Sequence, residues 1–222
     1  MPLEKQYVWN NADNNAFYEA LKAEGLQKFA EKGGLTSCCD LQVLTPYWSK
    51  AHSILEVGAG YGRVIDYLLQ HQFAGAITAV ERCNNLFQYL KTRFQKFKNL
   101  SLIQADICDF NTTNRFDLIL LLWSAVAEFF PQEQLSLIVK LTKLLQKNGK
   151  LVIDTIPENV IPLYAIKHAE QIYSTKIKKN SVYTYVPSIK DIKKYISIAG
   201  ITQAKHISYF TDIDRKRWLF IA

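Results

Sequence analysis

The stretch Ser53-Ile54-Leu55-Glu56-Val57-Gly58-Ala59-Gly60-Tyr61-Gly62-Arg63 carries the reading of the fold. Its first half is a short apolar run of strand length. Its second half is a glycine loop, behind which Val64, Ile65, Leu68 and Leu69 recur at helical spacing. Strand, glycine turn and helix in that order leave backbone N–H groups and the positive end of a helix dipole facing whatever binds there. Arg63 stands where the dinucleotide fingerprint G-x-G-x-x-G has its third glycine, and the Gly-Lys-Ser/Thr ending of a phosphate loop is absent. Glu56, two residues before the first glycine, would repel a pyrophosphate and suits a ligand with ammonium or sulfonium charge.

The unit recurs downstream. Ala76–Val80 is a second strand, followed by a helix from Asn84 or Asn85 to Phe97 whose Leu86, Phe87, Leu90, Phe94 and Phe97 form one apolar face. Leu100–Ile103 and Leu118–Leu122 are the third and fourth strands, the latter apolar throughout, as in a strand covered on both faces. Leu137, Ile138, Leu141, Leu144 and Leu145 mark a helix that Asn148-Gly149 ends before a fifth strand, Lys150–Ile156. Such alternation predicts an α/β fold, a doubly wound and mostly parallel sheet with helices on both faces and its strand C-termini gathered at one edge. After a helix that Ser188 opens and Gly200 closes, strands at Ala204–Phe210 and Arg217–Ala222 bring the sheet to seven. The link between them is too short for a parallel crossover, so the last strand runs antiparallel.

Residues 1–52 read as an N-terminal helical cap. One helix runs from Asn14 or Asn15 to about Lys32, stopped by Gly33-Gly34, and a second short one covers Asp40–Trp48. Residues 53–222 form the main domain, with an insertion at 157–187 that is long for a connection. Within it, Gln171–Ile177 and Val182–Val186 read as the arms of a hairpin around Lys179-Asn180-Ser181, and Lys167-His168-Ala169-Glu170 as an exposed helix.

Composition narrows the class of protein. A chain of 222 residues with 49% apolar and 21% charged residues excludes a disordered, collagen-like or small disulfide-held protein. No apolar run reaches ~18 residues, and Met1-Pro2-Leu3-Glu4-Lys5-Gln6 lacks the apolar stretch of a signal peptide, so a cytoplasmic protein without a membrane partner is expected. The net charge of +7 is spread over separate segments, as solvated helix faces and turns would give, which does not favour nucleic acid as partner. Cys38, Cys39, Cys83 and Cys108 form no C-x-x-C pair and no zinc spacing, so they are expected to be reduced, with no metal.

Ile54 to Arg63 resembles the first motif of the class I S-adenosylmethionine-dependent methyltransferases, an acidic residue, x, then G-x-G-x-G. Further stretches are similar to that family in the same order. They are Val80-Glu81-Arg82, Gln104-Ala105-Asp106-Ile107, Phe116-Asp117-Leu118-Ile119-Leu120 and Leu145-Gln146-Lys147-Asn148-Gly149-Lys150, the last with Asn where the family usually has Pro. The resemblance spans about Ser53 to Ala222. It implies S-adenosyl-L-methionine as cofactor, held by Glu56, Gly58, Ala59, Gly60, Gly62, Arg63, Glu81, Arg82, Asp106, Ile107 and Leu122. By the same resemblance Glu81 binds the ribose hydroxyls, Asp106 accepts from the adenine amine, and Ile107 packs on the ring. Arg63 either lies near the methionine carboxylate or is simply solvated. Asp117, at the far end of its strand, is read as structural.

Methyl transfer from a sulfonium is a displacement in which positive charge on sulfur is lost. The protein must hold the nucleophile in line, and no obligatory catalytic residue follows. By the resemblance, Leu122-Trp123-Ser124-Ala125-Val126-Ala127-Glu128 is the expected floor beneath the methyl group. The Asn/Asp-Pro-Pro-Tyr/Phe stretch of amino methylation is missing, which counts against DNA bases as acceptors. Glu128 and His168 are the candidate bases. Trp123, Tyr7, Trp9, Tyr18, Tyr173, Tyr183 and Tyr185 are candidates for an acceptor pocket that keeps water out. The expected function is methyl transfer to N or O of a small or medium-sized molecule. An RNA methyltransferase and a non-catalytic regulatory protein that binds the cofactor are the alternatives.

Overall fold

The computed structural model describes Trp9 and residues 14–222. Four neighbouring parallel strands set the frame: β1 (Ser53–Val57), β2 (Ala76–Glu81), β3 (Leu100–Gln104) and β4 (Phe116–Leu121). Ile54 of β1 sits beside Ile77 on one side and Leu118 on the other. β5 (Leu145–Thr155) continues the parallel set beyond β4. β10 (Lys216–Ile221) then pairs antiparallel with both β5 and β9 (Lys205–Phe210), so the sheet reads β3-β2-β1-β4-β5-β10-β9. Strand order reverses between β1 and β4, which opens a crevice at their C-terminal ends.

The central strands are apolar on both faces because both are covered. Leu118, Leu120 and Val152 pack towards α2 (Cys39–Val43), α3 (Thr45–Trp48) and α4 (Arg63–Gln70), with Leu41, Trp48, Val64 and Leu68 against them. Ile119, Leu121 and Ile153 face α6 (Pro131–Thr142) and α7 (Ile189–Ile198), meeting Leu137, Ile138, Leu141 and Ile192. Leu120 is fully buried, and its replacement by Ala would cost about 2–5 kcal/mol.

Several boundaries differ from the sequence expectation. The helix expected over Asp40–Trp48 is two helices, because Pro46 has no N–H to continue the ladder back to Gln42. α5 (Asn84–Phe94) ends a turn early, and Phe97 is exposed at 42% instead of joining the apolar face. β5 begins at Leu145, well before Lys150, with a register shift opposite Phe116 and Leu118 and a left-handed Asn148.

The expected helix at Lys167–Glu170 is instead part of β6 (Ala165–Ala169), which pairs antiparallel with β7 (Ile172–Ile177). Gln171 takes a left-handed conformation (φ 66°) and turns the chain back at that point. Pairing with a neighbour then overrides the weak local preference. β7 also pairs with β8 (Asn180–Tyr185), across a tighter turn than expected, with Ile177 opposite Asn180. The insertion is therefore a three-stranded sheet, β6-β7-β8.

α1 (Asn15–Gly33) packs against α5, β7 and β8, bridging the main sheet and the insertion. Gly34 stops it in a left-handed conformation (φ 67°) that lets its N–H reach Glu31 O at 3.0 Å. Lys22 breaks the helix internally, at φ 59° and ψ 176°. Among the described residues no helix is long and apolar enough to cross a membrane.

Candidate active site

The C-terminal ends of β1 to β4 open on one cavity of about 280 Å³. Gly58 and Ala59 donate to Val80 O at 2.9 and 3.1 Å, which ties the glycine loop to β2. At Gly58 (φ +74°) a Cβ would meet no atom within 4 Å, and this residue lines the cavity. At Gly62 (φ +85°) a Cβ would lie 2.5 Å from Phe94 Cε2, so glycine is required both for the turn and for the approach of α5.

Three acids sit at successive strand ends. Glu56 is 5% exposed, and its Oε2 has no hydrogen-bond partner among the described residues. Burial pushes its carboxyl up to about 8, with Arg63 pulling the other way. Glu81 is held by two backbone groups, Oε2 accepting from Gly60 N at 2.7 Å and Oε1 from Cys83 N at 2.8 Å. Burial raises its pKa, and these two hydrogen bonds oppose the rise. Asp106 accepts from Cys108 N at 2.8 Å and faces Arg82 Nη1 at 3.6 Å. Ile107 and Leu122 line the cavity beside them.

Arg63 is neither solvated nor without a partner. It is 8% exposed and makes a two-pronged pair with Asp40 of α2, at 2.7 and 2.6 Å. Burial works against the Asp40 charge, but Arg63 more than reverses this and holds the carboxyl below its ordinary value. Sequence reasoning missed Asp40, although an acid among the apolar Cys39, Leu41, Val43 and Leu44 was a signal that it needs a buried partner.

Glu128, read as a candidate base, has both carboxylate oxygens engaged. Oε1 accepts from Tyr18 Oη at 2.6 Å and Oε2 from Arg82 Nη2 at 3.0 Å. Burial raises its pKa while Arg82 lowers it. In this arrangement it joins α1 to the floor of the cavity. A second buried pair, Arg217 with Asp154, also went unforeseen; it extends to Tyr209 and Ser124.

The roof is built from α1, through Phe17, Tyr18, Leu21, Leu26 and Phe29, and from the insertion, through Val160–Leu163, Thr175, Val182, Thr184 and Val186. Tyr183 and Tyr185 alternate with these lining positions on β8 and so project to its opposite face. There Tyr183 packs on Trp9 at 5.9 Å and on His168 at 6.2 Å, and Tyr185 Oη donates to Gln171 Oε1 at 3.2 Å. His168 Nε2 lies 2.7 Å from Ser174 Oγ and does not line the cavity. Tyr173 is buried at 1% without lining it. Trp9 donates from Nε1 to Glu128 O at 3.0 Å and packs against Phe130, also outside the lining. Of the aromatic candidates, Tyr18 and Trp123 line the cavity, and Tyr7 lies outside the described residues. Asp117 accepts from His52 N and Ser53 N, as a structural residue would. Among the described residues no group of three or more His, Cys, Asp and Glu side chains is placed to hold a metal.

Residues 54–149 match a family model described as a methyltransferase domain. No curated protein matches the chain in sequence. Among solved structures it is similar to 1,6-didemethyltoxoflavin-N1-methyltransferase from Burkholderia thailandensis, which was solved with 1,6-didemethyltoxoflavin and S-adenosylhomocysteine bound. That likeness has 13% identity and a TM-score of 0.71, over 95% of this chain and 86% of that one. CalS10 from Micromonospora echinaspora, an amino pentose methyltransferase solved with S-adenosylmethionine, is 15% identical with a TM-score of 0.65, over 89% and 95% of the two chains. DesVI from Streptomyces venezuelae is 13% identical with a TM-score of 0.64, over 96% and 99%. At such identities the likeness establishes the fold.

The residues present fit a nucleoside that carries a sulfonium. Glu56 offers a buried oxygen without a partner among the described residues, and the space at Gly58 is clear of them. Glu81 and Asp106 are held in place by backbone N–H groups.

Proposed function

We propose that this chain, whose residues 54–149 match a methyltransferase domain, is a class I, S-adenosylmethionine-dependent enzyme that methylates a nitrogen or oxygen of a small or medium-sized molecule. One observation carries the reading: a single cavity joins the strand-end acids and glycines to a chamber roofed by α1 and the insertion. In this reading residues 1–52 and 157–187 select the acceptor, and the rest of 53–222 holds the cofactor.

When bound, the cofactor supplies an electrophilic methyl group on a positively charged sulfur. Glu81 would accept from the two ribose hydroxyls, Asp106 from the adenine amine, and Glu56 would face positive charge. Gly58, Ala59 and Gly60 let the backbone come close, Gly62 serves the turn and the packing of α5 instead, and Leu122 and Ile107 give apolar contact. Phe17, Leu21, Leu26 and Phe29 keep water from the reacting centre, so the acceptor competes with no solvent nucleophile. The four free cysteines suit a reducing cytosol.

The test is calorimetric binding of S-adenosylmethionine and S-adenosylhomocysteine, followed by transfer of labelled methyl to metabolite pools and to total RNA. Cofactor binding with label in low-molecular-weight products is the expected result. Label in RNA overturns the small-molecule reading. Thermal stabilisation by NAD in place of the methyl donor overturns the methyltransferase reading itself.

A further inference from the structure

The cavity is electrically polarised. Glu56, Glu81, Asp106 and Glu128, with Arg63 and Arg82 among them, line it at and just beyond the ends of β1 to β4, whereas Arg215, Lys216 and Arg217 line it where β10 begins. β10 stands three strands from β1, about 14 Å at ~4.8 Å per strand. Because it runs antiparallel to β5, with Trp218 opposite Thr155, its first residues lie at the same edge as the ends of the parallel strands.

Arg217 is 7% exposed and uses its guanidinium unevenly. Nε donates to Asp154 Oδ1 at 3.1 Å, and Nη2 donates to Asp154 Oδ2 at 2.6 Å and to Ser124 Oγ at 2.8 Å. Nη1 makes no hydrogen bond among the described residues, on a side chain that lines the cavity. Burial works against the Arg217 charge, and the Asp154 carboxylate outweighs it, so the guanidinium stays protonated. Ser124 accepts through its oxygen and keeps its own hydrogen to donate.

Trp123 and Ser124 are consecutive left-handed residues, at φ 51° and 58°, a strained arrangement of the kind that gathers at ligand sites. Ser124 N donates to Asp154 Oδ2 at 3.3 Å, which holds the hydroxyl beside Arg217. Two donors without acceptors of their own among the described residues thus stand side by side at the basic end of the cavity.

We propose that Arg217 and Ser124 seat a carboxylate of the acceptor, so the methylated molecule is a small carboxylic acid with an apolar or planar body. This deepens the methyltransferase reading of the same cavity and rests on it. The two oxygens of a planar carboxylate match the Arg217 Nη1–H and the Ser124 O–H. Asp154 neutralises Arg217, so the attraction for an anion comes from Arg215 and Lys216. Neither of these is ion-paired among the described residues, and the Arg215 guanidinium donates to Ile161 O at 3.2 Å. Phe17, Leu26, Phe29 and Val182 enclose the body of the acceptor.

The experiment is calorimetry on the full chain saturated with S-adenosylhomocysteine, titrated with benzoate, phenylacetate and indole-3-acetate and with the primary amide of each. At least one acid should bind about tenfold more tightly than its amide. S124A should weaken that acid roughly fivefold, and R217K, which keeps the charge and loses the fork, by about tenfold or more. Cofactor-product affinity should not change in either variant. Equal binding of acids and amides, no binding of any acid, or full acid binding by S124A overturns the proposal while leaving the methyltransferase reading intact. If R217K does not fold, S124A decides alone. Failure of the wild-type chain to bind S-adenosylhomocysteine overturns the methyltransferase reading, and this inference with it.

Discussion

Tyr18 donates its phenolic hydrogen to Glu128 Oε1 at 2.6 Å, fastening the helix over the cavity to the short turn beneath it. The other oxygen of Glu128 accepts from Arg82, whose Nη1 lies 3.6 Å from Asp106. Roof, floor and the third-strand acid are therefore one chain of contacts. Burial holds the Tyr18 phenol well above its ordinary pKa, and the Glu128 charge adds to this, so it remains a donor.

Tyr18→Phe removes a hydrogen bond to a charged acceptor. Such bonds contribute about 1.5–3 kcal/mol. Urea denaturation should show a loss of that size, with calorimetric cofactor affinity little changed. A variant as stable as the wild type would mean that the contact does not hold α1 down.

Glu81→Ala removes the carboxylate that Gly60 and Cys83 hold in place. Cofactor affinity measured by calorimetry should fall by at least about tenfold, because two charge-assisted hydrogen bonds to the ribose are lost. Unchanged affinity would remove Glu81 from the site.

Glu56 makes the stability of the ligand-free protein depend on pH. Its folded pKa of about 8 lies above the ordinary 4.5, so between these values the folded protein binds more protons than the unfolded chain. Stability must then fall as pH rises through that window and level off above it. Glu56→Gln should remove the slope and leave the variant more stable near pH 8 by on the order of 2–4 kcal/mol, read from denaturation at several pH values. A cation in the site favours the carboxylate. Cofactor binding to the wild type should therefore strengthen from about pH 6 to pH 8, and do so much less in the variant.

Thr184 and Tyr185 are neighbours on opposite faces of β8. Thr184→Trp should fill the chamber and abolish transfer to the acceptor without weakening cofactor binding. Tyr185→Phe should keep turnover. Labelled-methyl assays on the two variants check this, and equal turnover in both would show that the acceptor enters elsewhere.

What was legible in the sequence was what is local. Ser53–Val57 ends where its apolar run meets Gly58, and the strand boundary agrees to the residue. Glu56, Glu81 and Asp106 converge on one cavity because parallel strands bring their C-terminal ends to one edge. The pairs Asp40–Arg63 and Asp154–Arg217 were not legible, since a buried charge announces that it needs a partner but not which one. The alternation Val182-Tyr183-Thr184-Tyr185-Val186 separates two faces, yet only the pairing with β7 decides which one meets the cavity. Lys167-His168-Ala169-Glu170 failed for the same reason. Its strand exists through its partner and not through its own residues.

β8 is one of the two outer strands of the insertion sheet, and a strand in that position presents unused backbone groups that a second chain can pair with. At Tyr183 both groups are already taken by one side chain. Asn14 Nδ2 donates to Tyr183 O at 2.9 Å, and Tyr183 N donates to Asn14 Oδ1 at 2.8 Å. An amide that is wholly buried thus stands in for a neighbouring strand at the middle of that edge. The contact that begins the roof helix therefore also closes the middle of the insertion's edge to a further strand.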